Sequence, residues 1–214
     1  MKITKFGHCC LLLEIEGVRL LTDPGSMSTG EGSVIGLDAI IITHEHGDHF
    51  HIDSIKTILA NNPAAVVISN AAVGELLEKE NIPFTRVGDA ESTEVKGVKI
   101  DGFGKDHAPI YETVGLVENT GFMVAGKFFF PGDSFYDPQL PVDVLALPMA
   151  GPWMKFSEAI DYAKAVKPRL AFPVHDAIYR PEFAAGFNAH MGEALLSPAG
   201  ITFIALAAGE SKEF

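Results

Sequence analysis

Thr43-His44-Glu45-His46-Gly47-Asp48-His49 follows directly on the apolar run Ala39-Ile40-Ile41-Ile42, so three imidazoles and a carboxylate crowd into the few residues after a strand. Such a cluster is costly to bury unless something binds it, and imidazole with carboxylate is the usual donor set for zinc and similar divalent ions. The stretch therefore points to a metal-dependent enzyme. His44 and His46 lie two residues apart and face the same way in extended backbone, while Asp48 and His49 fall on the turn into a helix expected from Ile52. Four donors so close in sequence exceed one ion's local need, because a catalytic zinc takes about three protein ligands plus water. The cluster thus predicts two metals completed from elsewhere in the chain. His107 in Lys105-Asp106-His107-Ala108-Pro109, Asp133 after Phe128-Phe129-Phe130, and His175 after Phe172-Pro173-Val174 are the candidates, each following an expected strand and opening a loop.

Outward from the motif, short runs rich in Val, Ile, Leu and Phe alternate with a few helical stretches. Strands are expected at 2–6, 9–16, 18–22, 39–43, 65–69, 84–87, 92–96, 98–103, 113–119, 121–125, 127–131, 143–147, 169–174 and 201–206, separated by Gly, Pro, Asn and Asp. Helices are expected at 52–61, 71–80, 156–166 and 181–191, with Pro63, Pro168 and Pro198 punctuating their ends. A weak internal duplication gives the layout. Residues 11–25 read as a hairpin ending at Asp23, and residues 121–134 read as a second hairpin ending at Asp133. After them, 38–43 is echoed by 143–148, and 65–69 by 170–174. Two β-rich halves, each covered by helices, make an α+β fold: a four-layer αβ/βα sandwich with strand ends meeting along one edge. Strands buried on both faces account for the continuous apolar runs.

Length and composition limit the function classes. At 214 residues and 47% hydrophobic content, residues 1–214 are expected to form one domain around one core. A formal charge of −12 opposes nucleic-acid phosphate, and no Lys/Arg cluster overrides it. Cys9 and Cys10 are adjacent and cannot form an ordinary disulfide. The opening residues read as a strand rather than an apolar signal segment, and no run of about 18 apolar residues exists, so a cytoplasmic protein with no membrane partner is expected. The expected partner is a small-molecule substrate; oligomeric state is not legible.

The 43–49 stretch resembles the His-x-His-x-Asp-His signature of the metallo-β-lactamase superfamily, and His107, Asp133 and His175 match that family's later positions in order. The hairpin at Leu20-Leu21-Thr22-Asp23-Pro24-Gly25 is similar too, and the likeness spans roughly the whole chain. By that resemblance, His44, His46 and His107 hold one metal, Asp48, His49 and His175 hold the second, and Asp133 bridges them. The resemblance also implies an αβ/βα sandwich with the metals at the edge between its halves. Phe6-Gly7-His8-Cys9-Cys10 looks like the Gly-His-Ser or Gly-His-Ala element of small hydrolases of the ascorbate-6-phosphate lactonase branch. This gives His8 two readings of equal weight: a residue that reaches the substrate site, or a histidine satisfied by a neighbouring strand.

The expected chemistry is that of a dinuclear metal-dependent hydrolase, in which a metal-bridging hydroxide attacks a small ester, lactone, thioester or phosphodiester. Asp48 is assigned the catalytic role of orienting that nucleophile and shuttling its proton. Zinc suits the ligands best, with manganese, iron or nickel as alternatives. Asp23 or backbone carbonyls are expected to orient the ligand imidazoles. Trp153 and Tyr179 are candidate substrate contacts; local packing is the competing reading for Trp153, and solvent exposure for Tyr179, Lys105 and Arg180. His51 reads as a polar residue at a helix start and His190 as a surface residue. The alternatives are a di-iron redox protein, which His46 opposes because the resembling branch carries Glu there, or a metal-binding member of the fold without turnover. A secreted β-lactamase, a transfer-RNA processing enzyme and a glyoxalase of the second type are disfavoured by the lack of an export signal, by the acidic charge and by the lack of a larger C-terminal helical region.

Overall fold

Side chains along the strands alternate between two apolar environments, and that alternation builds the layers. In strand Ala39–Ile42, Ala39 and Ile41 pack into the central core, whereas Ile40 and Ile42 pack against helices. In strand Phe128–Phe130, Phe128 and Phe130 face the centre and Phe129 faces a helix layer. The structure, a computed structural model, describes residues 1–214 apart from the side chain of Ala185.

The first half contains β1 (Lys2–Gly7), β2 (Cys10–Ile15), β3 (Val18–Thr22), β4 (Ala39–Ile42), α1 (Ile52–Asn61), β5 (Val66–Ser69), α2 (Ala71–Lys79) and β6 (Phe84–Arg86). The second contains β7 (Ser92–Val95), β8 (Val98–Phe103), β9 (Gly121–Val124), β10 (Phe128–Phe130), β11 (Val144–Pro148), α3 (Phe156–Val166), β12 (Leu170–Val174), α4 (Pro181–Leu196) and β13 (Thr202–Phe203), followed by β14 (Ser211–Glu213). Two seven-stranded sheets result, ordered β14-β1-β2-β3-β4-β5-β6 and β13-β12-β11-β10-β9-β8-β7. Their inner faces share one core, in which Leu11, Leu13, Leu20 and Ile41 meet Ile100, Phe122, Phe128 and Phe172. Outside the first sheet, Ile40 and Ile42 pack on Ile55 and Ile58 of α1 and on Val73 and Leu77 of α2. Outside the second, Phe129, Leu145 and Leu147 pack on Ala159, Ile160 and Ala163 of α3 and Leu196 of α4. The order is helix, sheet, sheet, helix: the four-layer α+β sandwich that the apolar runs imply.

The duplication is visible in the pairing. In one sheet β1, β2 and β3 are antiparallel, then β3, β4, β5 and β6 are parallel. In the other, β8, β9 and β10 are antiparallel and β10, β11, β12 and β13 parallel. Even the edges correspond, since β14 adds antiparallel to β1 as β7 does to β8. The parallel strands place their C-terminal ends along one rim, where loops leave the sheets and ligands gather in open α/β sheets.

Several expected boundaries differ. The strand expected at 113–119 does not form: it has only one isolated bridge, Asp106 to Glu118, and Val114 and Leu116 are exposed at 46% and 58%. Apolar residues there lack a neighbouring strand, and β-propensity without a partner does not make a sheet. The strand expected at 201–206 shortens to β13. Sequence patterning missed β14, because Ser211-Lys212-Glu213 has no strand signal; its pairing with Lys2, Ile3 and Thr4 is long-range. Helix α4 runs five residues beyond its expected end, to Leu196.

Candidate metal centre

Every expected ligand, and with them His8 and Asp23, stands just after a strand or on the loop that follows one. His8 follows β1, Asp23 follows β3, Thr43 to His49 follow β4, His107 lies on the loop after β8, Asp133 follows β10, and His175 follows β12. Three of these take left-handed backbone that side-chain-bearing residues seldom adopt: His8 at φ 43°, Asp23 at φ 34° and His175 at φ 58°. Such strain costs about 1–3 kcal/mol each and persists where the surroundings fix it, as at functional sites. Gly25 is required by close approach, since a Cβ there would lie 1.8 Å from the Asp48 carbonyl oxygen.

Asp23 organises the motif from beneath and is fully buried. Its Oδ1 accepts from the Thr43 backbone N–H at 2.8 Å, and its Oδ2 accepts from the Thr43 hydroxyl at 2.7 Å and His49 Nδ1 at 2.6 Å. Because the Thr43 hydroxyl donates to Asp23, its oxygen is left to accept from His44 Nδ1 at 3.0 Å. His107 Nδ1 donates to the Ala108 carbonyl at 2.5 Å. These bonds put the ring proton on Nδ1 in His44, His49 and His107 and leave each Nε2 as a bare acceptor. Of the two supports expected from sequence, both occur: Asp23 for His49, and a backbone carbonyl for His107.

The bare nitrogens converge on Asp133, which is 2% exposed. His49 Nε2 is 3.1 Å from its Oδ1, while its Oδ2 lies 2.8 Å from His175 Nε2 and 3.3 Å from His107 Nε2. Trp153, 8% exposed, donates its indole N–H to Asp133 Oδ2 at 2.8 Å. Among the described residues, the Nε2 atoms of His44, His49, His107 and His175 and Asp133 Oδ1 are buried without a hydrogen-bond partner. Acceptors facing one another at these distances require a proton or a cation between them. Without an ion, burial works against a charge on His49 but is outweighed by Asp133 and Asp23, which hold its pKa well above that of free imidazole. Burial likewise opposes the Asp133 charge, yet His49, His175 and His107 keep its carboxyl well below the ordinary range.

Among the described residues, four overlapping groups of donor atoms lie close enough to share an ion, and two of them carry the expected ligands. His44, His46 and His107 each bring one atom within 4.8 Å of the others, and so do Asp48, His49 and His175 together with His8. Those are the two triads that the resemblance implies, each buried or half-buried, with Asp133 against members of both. The donor set and its orphaned atoms fit metal ions. His8, 1% exposed, enters the second group through Nε2, which lies 3.2 Å from Asp48 Oδ2. Burial is the largest influence on the His8 ring and takes its pKa down to about 4, so it pairs with Asp48 as a neutral donor. The Asp48 carboxyl, opposed by burial but held by His8 and His49, sits well below its ordinary pKa.

Of the other candidates, Trp153 stands at the centre itself and Tyr179 lines a cavity that His8 also lines, while the rest lie away from the centre. Trp153 contacts Asp133, a role that its loop sequence did not signal. Tyr179 packs edge-on against Phe183 and Phe187 of α4, at 5.3 and 6.4 Å between ring centroids. Lys105 pairs with Asp89, Arg180 is the exposed N-cap residue of α4, His51 caps α1 and bonds Ser54, and His190 is exposed on α4. Cys9 was not anticipated at this centre, yet its sulfur lies within 4.8 Å of donor atoms of His49 and Asp133. Nothing in the apolar run Cys9-Cys10-Leu11 marks it, and burial pushes its thiol pKa well up, which keeps it neutral.

Comparison with known proteins agrees with this geometry. The chain is 38% identical over 187 residues to Protein Rv0786c of Mycobacterium tuberculosis, covering 85% of this chain and 87% of that one. It is 31% identical over 196 residues to a UPF0173 metal-dependent hydrolase of Carboxydothermus hydrogenoformans, covering 82% and 84%. Among solved structures, Igni18, a metallo hydrolase from Ignicoccus hospitalis, shares the fold with a TM-score of 0.74 at 20% identity, over 100% of this chain and 98% of that one. Residues 2–175 match the model of the family described as "Beta-lactamase superfamily domain", and the chain belongs to that family, the metallo-β-lactamase superfamily that its His-x-His-x-Asp-His stretch resembles.

Proposed function

We propose that the protein is a dinuclear metal-dependent hydrolase acting on a small ester, lactone, thioester or phosphodiester. The observation that carries this reading is the convergence of four buried, unpartnered imidazole nitrogens on one buried carboxylate. The relatives named metal-dependent hydrolase support it. His44, His46 and His107 would hold one ion and Asp48, His49 and His175 the other, with Asp133 shared; zinc suits this nitrogen-rich set best. When bound, the ions supply a water that is nucleophilic near neutral pH and a polarised substrate oxygen.

The chain's own groups do the rest. Asp23 and the Ala108 carbonyl fix ring orientation before any ligand arrives, so no reorganisation is needed at the moment of reaction. Trp153 holds Asp133 at Oδ2. The Asp48 side chain is 25% exposed, which sets it where the centre opens to solvent. His8 pins Asp48 Oδ2, leaving Oδ1 to orient the attacking water and take its proton.

Purified protein assayed on ester, lactone, thioester and phosphodiester panels tests the reading. Turnover that is lost on chelation and restored by added zinc or manganese is expected. Turnover indifferent to chelation, or full metal occupancy with no turnover on any class, would overturn it.

A further inference from the structure

Three of the ligand imidazoles are aimed through their second nitrogen: His44 Nδ1 by Thr43, His49 Nδ1 by Asp23 and His107 Nδ1 by the Ala108 carbonyl. His175 has no such support. Among the described residues its Nδ1 is buried without a hydrogen-bond partner, and its φ of 58° is one that a side-chain-bearing residue seldom holds unaided. Something other than a ring hydrogen bond must therefore fix where its Nε2 points.

The chain on either side of His175 carries the restraint. Lys5 lies on the face of β1 that Ile3 turns into the central core and is 1% exposed, where an ammonium group is costly unless paired and hydrogen-bonded. Its Nζ donates to the Pro173 carbonyl at 2.9 Å and to Asp176 Oδ1 at 2.6 Å, so one cation grips the chain both before and after His175. Asn188 of α4, also 1% exposed, donates to Asp176 Oδ2 at 3.0 Å. The His175 N–H itself donates to the His8 carbonyl at 3.2 Å, just past the end of β1. The Pro173 carbonyl is available because β13 is short: Thr202 and Ile204 donate to the Arg169 and Ala171 carbonyls, and the next carbonyl of that row meets Lys5 instead. Lys5 is fixed at its own backbone, its N–H donating to the Glu210 carbonyl at 3.0 Å and its carbonyl accepting from the Gly209 N–H at 2.8 Å. An apolar residue would fill this position without the desolvation cost, but would not tie the two sheets at one defined point.

We propose that Lys5, acting through Asp176 and the Pro173 carbonyl, is a positioning residue for His175. It locks the loop in the conformation that presents Nε2 to the second metal position, doing through the backbone what Asp23 does for His49 through the ring. The proposal rests on the dinuclear reading for that second ion, but the tie itself does not.

Lys5→Met alone would leave the Asp176 carboxylate buried and unpaired, so the test uses the double variant Lys5→Met/Asp176→Asn, in which both charges go and the new amide oxygen can still accept from Asn188. Leu77→Ala, in the apolar layer beneath α2, is the comparison, because it weakens the fold without touching the tie. Zinc affinities of the folded proteins are read by chelator competition. In the double variant the site of Asp48, His49 and His175 should lose at least about tenfold, and the site of His44, His46 and His107 less than about twofold. Leu77→Ala should move neither. In metal-free protein, hydrogen exchange at the His175 amide should quicken in the double variant at least about tenfold relative to the Met149 amide, which donates to the neighbouring Val174 carbonyl. A native protein that binds fewer than two ions removes the dinuclear reading, and amide exchange then decides the tie by itself. Unchanged second-site affinity, equal loss at both sites, or His175 exchange that keeps pace with Met149 refutes the proposal.

Discussion

Replacing Asp23 by Asn changes one atom's chemistry and almost no volume, and it separates orientation from ligation. In the native site Asp23 accepts from the Thr43 N–H, the Thr43 hydroxyl and His49 Nδ1 at 2.8, 2.7 and 2.6 Å. An asparagine can keep the first bond through its carbonyl, but its amide N–H groups then face two donors. The hydroxyl can rotate and accept. His49 can accept only by moving its proton to Nε2, the atom that faces Asp133 and the second metal position. One buried group left badly paired costs about 1–3 kcal/mol of stability, so the variant folds. Loss of an outer partner to a ligating histidine typically lowers metal affinity about 10–100-fold. The loss should fall chiefly on the site of Asp48, His49 and His175, since the Thr43 hydroxyl can still reach His44. Chelator competition that resolves two binding constants measures this, with thermal denaturation of metal-free protein reporting the fold. Equal constants in native and Asp23→Asn protein would refute the orientation argument.

Asp48→Ala should reduce turnover by at least about 10²-fold, as loss of a general acid–base group typically does, and should weaken the second metal while leaving the fold. Exposed His190→Ala should change neither; equal activity in the two variants, read by steady-state kinetics, would sink the role given to Asp48. Gly25→Ala places a methyl 1.8 Å from the Asp48 carbonyl oxygen, and backbone cannot yield as a flexible side chain does. It should destabilise by about 3 kcal/mol or more and loosen the metal loop, measurable by urea unfolding, and an unchanged midpoint would contradict the close approach. Cys9 and Cys10 are both fully buried, with burial the leading cause that raises their thiol pKa values. Neither should react with a disulfide reagent at pH 8 until the protein is unfolded; rapid native labelling would show an opening that the core packing does not contain.

Local chemistry that is also local in sequence was legible in advance. The 43–49 motif, the strand preceding it and the helix following it need only neighbours in the chain, and α1 and α3 run over their expected residues. Continuous apolar runs such as Phe128-Phe129-Phe130 told of strands buried on both faces, and the echo between residues 11–25 and 121–134 became two matching hairpins that deliver Asp23 and Asp133. What the sequence did not show depends on partners distant along the chain. β14 is a strand because β1 offers it an edge, and residues 113–119 are not a strand because none is offered. Trp153 bonds Asp133 across twenty residues, and Lys5 reaches Asp176 across the chain, so neither role leaves a mark in local spacing. His8 stood undecided between substrate contact and structural filler; its geometry makes it the partner of Asp48 and a wall of the neighbouring cavity.

Anomalous diffraction at the zinc and manganese edges, on crystals grown with those ions in excess, measures the central claim most directly. The account predicts two peaks, one bounded by His44, His46 and His107 and the other by Asp48, His49 and His175, with Asp133 between them. A single peak, or none with the imidazoles hydrogen-bonded to water, would contradict it.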